Sequence, residues 1–309
     1  MKNIAIIGSG SFGCALANYL SNLGHNIKVW SYKQEECDAI NEEHKCIFIP
    51  EVKLNENIKC YTNYEDVIKN SEYTLMVTPS SVVRSTIKDI KKYITNQKIV
   101  MCSKGLEETT NKLLKDVVNE EISNITGILS GPSIAREILQ EKKTSVVFAS
   151  ESDDFNNEIK DVFESTNFTV ELSNDVIGVE IGGALKNIGA LAYGIIEGLN
   201  LGENIKATTI TKILDEISKI GLAIGAKKDT FYGLSCLGDL IATCTSKESR
   251  NHKAGILLSK GKSIKEIKEE IGMVIEGLDS IKVAYDLSNK YNLDLQTINE
   301  LYNLITKLS

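Results

Sequence analysis

Six residues near the start constrain the fold more than any others. An apolar run, NIAII at 3–7, leads at once into Gly8-Ser9-Gly10-Ser11-Phe12-Gly13, and CALANYLSNLGH follows with helical spacing. G-x-G-x-x-G between a strand and a helix has a physical logic. The first glycine makes the tight turn, the second lets a pyrophosphate approach the backbone, and the third lets the helix pack closely on the strand. The helix N-terminus adds free N–H groups and a favourable dipole for phosphate. Glycines also close ordinary βα turns, so the motif takes its weight from its surroundings.

Those surroundings alternate. Strand-like runs at 73–77, 98–102, 125–129, 145–149 and 168–172 are separated by helical patterns at 81–94, 110–122, 134–141 and 154–165. Repeated βα units predict a mainly parallel sheet with helices on both faces, a Rossmann-type α/β domain. Ligands of such sheets bind beyond the carboxyl ends of the strands. The polar segments Thr78-Pro79-Ser80, Ser103-Lys104-Gly105-Leu106-Glu107 and Ser130-Gly131-Pro132-Ser133 all stand at strand ends and are expected to share one edge with the glycine turn.

The second strand, residues 26–30, ends in Trp30-Ser31-Tyr32-Lys33, with no carboxylate before Glu35. An acidic residue at that end would take the ribose 2′-hydroxyl and favour NAD. Lys33 could instead meet a 2′-phosphate, which leans towards NADPH or dual use with NADH. It could equally face water at the start of the next helix.

After Asp175 no strand pattern appears, so the expected division is a dinucleotide-binding domain at 1–173 and an all-α domain at 174–309. The helical half opens on GVEIGGALKNIGALAYGIIEGLNLG, residues 178–202, with Lys186 and Asn187 in its middle. A helix apolar all round is a buried helix. Each glycine in it costs about 1 kcal/mol relative to alanine, so close approach of a backbone or ligand is the expected reason for them. A lysine there loses hydration, which lowers its pKa towards the range useful for proton transfer; alternatively its long stem snorkels to the surface. Further on, Asp239 follows a glycine and precedes an apolar run, as a helix N-terminal carboxylate would. Ser249-Arg250-Asn251 open another helix and suit a substrate phosphate, although ordinary capping explains each of them too. The tail to Ser309 reads as an amphipathic helix.

Composition excludes several classes. Net charge is −7, which argues against general affinity for nucleic acid or anionic membranes. Glu180, Lys186 and Asn187 interrupt the one long apolar stretch, so no membrane span is expected. No secretory leader is expected, because the first strand begins at residue 3. Seven cysteines without a C-x-x-C pair, and three isolated histidines, argue against disulfides and zinc and point to a reducing cytoplasm. There are only three arginines, and in a chain that uses lysine almost everywhere Arg250 is expected to be kept for its planar fork.

Taken together, GSGSFGCALA, TPSSVVR, SKGLE, SGPSIARE, GVEIGGALKN, TFYGLSCLGDLIATCTSKESRN and VIEGL stand in the order of one family. The chain resembles the bacterial-type NAD(P)-dependent glycerol-3-phosphate dehydrogenases over essentially its whole length. The resemblance implies reduction of dihydroxyacetone phosphate to sn-glycerol 3-phosphate, the entry to glycerophospholipid synthesis. It implies that Lys186 exchanges the proton at the substrate oxygen. Lys104, Gly131, Ser133, Asp239, Ser249, Arg250 and Asn251 would contact substrate. Ser11, Phe12, Lys104, Ala135, Arg250, Val274 and Glu276 would contact the coenzyme, beside Gly8, Gly10, Gly13 and Lys33 from the residue reading. Phe12 stands where the family often has Trp, and Tyr32 where it usually has Arg or His, which leaves Lys33 as the substitute cation. Thr211-Lys212-Ile213 replaces the usual Thr-Arg-Gly, and the chain ends earlier than such proteins usually do, with a looser helical domain or looser dimer contacts as the alternatives expected.

The combined expectation is a cytoplasmic oxidoreductase, with the nicotinamide in the cleft between domains, Lys186 as proton donor and Asp239 tuning its charge. A phosphorylated triose is its small-molecule partner, no metal is used, and a homodimer is admitted but not required. Two rival readings stand beside it: a two-domain reductase of another β-hydroxy- or keto-acid, and a nucleotide-binding redox sensor without turnover.

Overall fold

Strand β1 (Asn3–Ile7) hands the chain to helix α1 (Ser11–Asn22) through the glycine turn, as the spacing requires. The computed structural model describes residues 1–307. The chain continues through β2 (Asn26–Trp30), α2 (Gln34–Asn41), β3 (Lys45–Cys46), β4 (Ile49–Lys53), β5 (Lys59–Tyr61), α3 (Tyr64–Ile68), β6 (Tyr73–Met76) and α4 (Val83–Ile90). Next come β7 (Lys98–Met101), β8 (Leu106–Glu107), β9 (Lys112–Leu113), α5 (Leu114–Glu121), β10 (Thr126–Ser130), α6 (Ala135–Leu139), β11 (Thr144–Ala149), α7 (Asp153–Phe163) and β12 (Phe168–Ser173).

Eight strands form one sheet in the order β12-β11-β10-β7-β6-β1-β2-β5. The pairs β1–β2, β1–β6, β6–β7, β7–β10, β2–β5 and β11–β12 are parallel. Strand β1 lies inside the sheet, and the chain builds outward from it in both directions, which makes the carboxyl ends of β1 and β6 the topological switch point. Parallel strands covered on both faces are apolar throughout, and Ile4, Ala5, Ile6 and Ile7 are all buried. A core of Ile, Val, Cys and Phe side chains, including Phe148, Phe155, Phe163 and Phe168, holds this first unit together.

The sequence pattern gives no sign of the β3–β4 and β8–β9 hairpins, three of whose strands have only two residues and the fourth, Ile49–Lys53, contains Pro50. The helix expected at 110–122 begins only at Leu114, because Lys112 and Leu113 pair with Glu107 and Leu106.

The second unit contains α8 (Val176–Gly198), α9 (Glu203–Ala223), α10 (Asp239–Thr245), α11 (Arg250–Ser259), α12 (Ile264–Ile271), α13 (Glu276–Tyr291) and α14 (Gln296–Thr306). Two segments of the first half, Lys104–Leu113 and Ser130–Pro132, cluster with it, so the units are interleaved along the chain. The C-terminal helix stops at Thr306, and the last two residues of the expected tail lie outside the described residues.

Helix α8 is the axis of this unit, buried from Val176 through Ala192 except at Ile177. Asp175 caps it, accepting from Gly178 N at 3.0 Å, from Lys227 N at 2.9 Å and from Thr230 Oγ1 at 2.6 Å. Its glycines explain themselves by approach. A Cβ on Gly183 would overlap Ser130 Oγ, and one on Gly194 would overlap the His252 carbonyl of α11. Gly255 on α11 is the reciprocal case, since its Cβ would overlap the Leu191 carbonyl. Among the described residues, no helix is long and apolar enough to cross a membrane, and no cluster of three or more His, Cys, Asp or Glu could hold a metal ion. All seven cysteines are free and buried.

Candidate active site

In the second unit, Lys186 is 5% exposed in the middle of α8. Its Nζ donates to Asp239 Oδ1 at 3.0 Å and to Thr243 Oγ1 at 2.5 Å. Asp239 sits in the first turn of α10, after a π-turn at Leu234–Gly238, and Thr243 stands one turn later on the same face. The Thr243 hydroxyl gives its own proton to the Asp239 carbonyl at 2.6 Å, so towards Lys186 it can only accept. An ammonium has three protons; two are taken here, and the third has no protein acceptor among the described residues.

Lys104 binds the other side of the same carboxylate. Its Nζ donates to Asp239 Oδ2 at 2.8 Å and to the Gly131 carbonyl at 2.9 Å. Gly131 has φ +126°, a conformation that a side chain would strain. Asp239 thus lies between two ammonium groups. Burial alone would push its carboxyl pKa up, but Lys104 and Lys186 outweigh burial and hold it below the usual carboxylate range. Burial pulls Lys186 below the usual lysine range, Lys104 adds to that, and Asp239 opposes it.

Beside this centre, three helices are tied by one pair of amides. Asn251 Nδ2 donates to Asn187 Oδ1 at 2.9 Å, and Asn251 Oδ1 accepts from Gly277 N at 2.9 Å. Each tied residue is the chain neighbour of a charged one: Lys186 on α8, Arg250 on α11 and Glu276 on α13. Burial lowers the Arg250 pKa and the charge of Glu276 opposes this. Ser249 performs the capping role for α11, accepting from His252 N at 3.2 Å. Val274 is 37% exposed in the turn before α13.

Within the first unit, the glycine turn passes a direct test of fit for a dinucleotide. Gly8 has φ +123°, and a Cβ there would stand 2.9 Å from the Val77 carbonyl. A Cβ on Gly13 would overlap the Gly8 carbonyl, whereas one on Gly10 would meet nothing within 4 Å. Space is thus open at the one glycine expected to face a pyrophosphate. Ser11 and Phe12 begin α1, whose N-cap Gly10 contributes no side-chain hydrogen bond. Ser133 and Ala135 belong to this unit too, at the approach to and start of α6. Lys33 was expected to offer its charge to a 2′-phosphate. In the structure it pairs with Glu35 at 3.6 Å and stands 4.0 Å from Glu36.

Sequence reasoning did not select Thr243, Asn187 or Glu36 for the site. Thr243 has a signal in hindsight, lying four residues after Asp239 on one helical face. Asn187 is a buried amide beside the buried lysine. Glu36 gives no signal, since a glutamate in KQEEC reads as surface.

A parallel sheet that opens on a glycine-turned βα unit, with a helical unit holding a desolvated lysine against a carboxylate, is the plan of the two-domain nicotinamide-dependent dehydrogenases. Comparison narrows this class. Residues 3–156 match the model of the NAD-dependent glycerol-3-phosphate dehydrogenase N-terminus, and residues 175–308 that of its C-terminus. The chain belongs to the NAD-dependent glycerol-3-phosphate dehydrogenase family. It is 39% identical over 307 residues to glycerol-3-phosphate dehydrogenase [NAD(P)+] of Clostridium botulinum, covering 99% of this chain and 93% of that protein. To the enzyme of the same name from Fusobacterium nucleatum it is 42% identical, covering 97% of this chain and 91% of that one. The crystal structure of glycerol-3-phosphate dehydrogenase from Coxiella burnetii superposes with a TM-score of 0.95 at 33% identity, covering 99% of this chain and 95% of that one. A ketopantoate reductase from Ralstonia eutropha shares the fold alone, with a TM-score of 0.65 at 13% identity over 99% of this chain and 97% of that one.

Proposed function

We propose that the protein catalyses the reversible reduction of dihydroxyacetone phosphate to sn-glycerol 3-phosphate with NADH or NADPH, supplying the backbone of glycerophospholipids. Family membership supports the reaction. The observation that carries the mechanism is the buried Lys186, fixed by Asp239 and Thr243 with one ammonium proton uncommitted.

Bound NAD(P)H supplies a hydride to the carbonyl carbon. Lys186 gives its uncommitted proton to the carbonyl oxygen as that oxygen gains charge, which makes it the general acid and, in reverse, the base. Its positive charge also stabilises the developing oxyanion in a dry site. Asp239 and Thr243 hold the ammonium in place, and Lys104 binds the far carboxylate oxygen and adds a second cation. Arg250 offers a planar fork to the substrate phosphate, with Ser249 and Asn251 beside it and Gly131 and Ser133 as further substrate contacts. Asn251 already spends its carbonyl on Gly277 and one N–H on Asn187, so one N–H is left for this role. Gly8, Gly10, Ser11, Phe12 and Gly13 receive the pyrophosphate, with Lys33, Lys104, Ala135, Arg250, Val274 and Glu276 completing the coenzyme contacts. A cytoplasmic location and homodimer assembly belong to the same proposal; seven free buried cysteines support the first.

The test is NADH and NADPH oxidation with dihydroxyacetone phosphate against unphosphorylated dihydroxyacetone. Turnover only with the phosphorylated ketone is expected. Equal turnover of both would favour a reductase that does not use a phosphate, and turnover of neither, with coenzyme still bound, a sensor.

A further inference from the structure

Glu36 is a buried carboxylate that the mechanism above does not use; the residue is 4% exposed in the first turn of α2. Its side chain folds back to the sheet. Oε2 accepts from Ser9 Oγ of the glycine turn and from Ser31 Oγ, just after β2, at 2.7 Å. Oε1 has only Lys33 Nζ near it, at 4.0 Å, beyond hydrogen-bond length. A carboxylate accepts about four hydrogen bonds, and among the described residues no protein donor reaches Oε1 within hydrogen-bond length. One acceptor thus stands ready where the carboxyl end of β2 meets the glycine turn. In dinucleotide folds the adenine ribose arrives at that place, and an acid there takes its 2′-hydroxyl.

We propose that Glu36 reads the ribose 2′-hydroxyl and repels a 2′-phosphate, so that the protein binds NADH in preference to NADPH. The assignment rests on the dinucleotide reading of the glycine turn. It opposes the lean towards NADPH that Lys33 gives in the sequence. The charges decide between the two: Lys33 is one ammonium facing two carboxylates, Glu35 and Glu36, and its side chain is 41% exposed whereas that of Glu36 is 5% exposed. An exposed cation is screened by water, and a buried anion is not.

Equilibrium titration of the purified protein with each coenzyme, read by coenzyme fluorescence, tests this without turnover. The wild type should bind NADH about tenfold or more tighter than NADPH, the worth of one charge-assisted hydrogen bond. Glu36→Gln keeps an acceptor for both serines and drops the charge, so the two constants should converge to within a few-fold, mainly through tighter NADPH. NADH lacking the adenosine 2′-hydroxyl should bind the wild type about tenfold more weakly than NADH, a measurement that needs no variant. Equal or tighter NADPH binding by the wild type would overturn the assignment. So would a parallel loss of both coenzymes in Glu36→Gln, since that is what a purely structural glutamate would give. Binding of neither coenzyme to the wild type would overturn the dinucleotide reading itself and this assignment with it.

Discussion

An ammonium moved out of water must recover its hydration from the protein, and Lys186 recovers only part of it. Asp239 and Thr243 supply two acceptors, and the third is the one the proposed mechanism gives to the substrate. Lys186→Met keeps the apolar stem and removes the charge. The turnover number should fall about a hundredfold or more, while helicity and coenzyme titration stay at wild-type values. A drop of only a few-fold would assign proton delivery to another group. The pKa of Lys186 lies below the ordinary lysine range because of burial. Reduction needs the ammonium, so its rate falls as pH rises through that pKa, and the alkaline limb of kcat/KM should lie below the ordinary value of about 10.4. Asp239→Asn removes the carboxylate that favours the charged form and leaves Lys104 and Lys186 facing each other across a neutral amide. The limb should move lower still; a limb that stays put would separate Asp239 from the titration of Lys186. This pair was legible in the sequence, because a lysine in an apolar helix and a carboxylate at a helix start are each conspicuous. Glu36 was not, because nothing in residue spacing says that a side chain on the first turn of α2 folds back under the glycine turn.

The elements obey the same logic of approach. The 3.6 periodicity locates the long helices, continuous apolar runs locate the buried strands, and the glycines of α8 announce close packing. They do not announce the partner: Ser130 faces Gly183, and the backbone of α11 faces Gly194. The short hairpins are invisible because a two-residue strand carries no period and Pro50 interrupts the pattern of Ile49–Lys53. Asp175 illustrates how one side chain fixes an element. It caps α8 and also satisfies Lys227 N and Thr230 Oγ1. Asp175→Ala should cost at least about 2 kcal/mol, from the lost cap and a buried N–H left without its acceptor. Denaturant melts followed by far-ultraviolet circular dichroism would measure it, and Asp175→Asn should restore part of the loss. A change within 0.5 kcal/mol, roughly the scatter of neutral surface substitutions, would contradict the capping account.

At the scale of the molecule, a single melting temperature is poorly defined for a protein of two compact units, so each needs its own probe. Trp30 is the chain's one tryptophan, at the end of β2, stacked on Tyr64 with ring centroids 4.2 Å apart. Its fluorescence reports the first unit. NADH at about 100 times its dissociation constant adds about 2.7 kcal/mol to the state that binds it, so the transition seen by Trp30 should move to higher temperature. No movement under saturating NADH would take the dinucleotide away from the glycine turn. The interleaving of the units reaches further than stability. Lys104, which binds one oxygen of Asp239, lies in the chain before β10, Ser130–Pro132 stands at the end of β10, and the rest of the second unit follows β12. A gene break at residue 174 would hand on the lysine of α8 and the carboxylate of α10 but leave Lys104 and Gly131 behind. A fragment that begins there lacks the second cation of the Lys104–Asp239–Lys186 cluster, so the helical half is not self-sufficient in its charges.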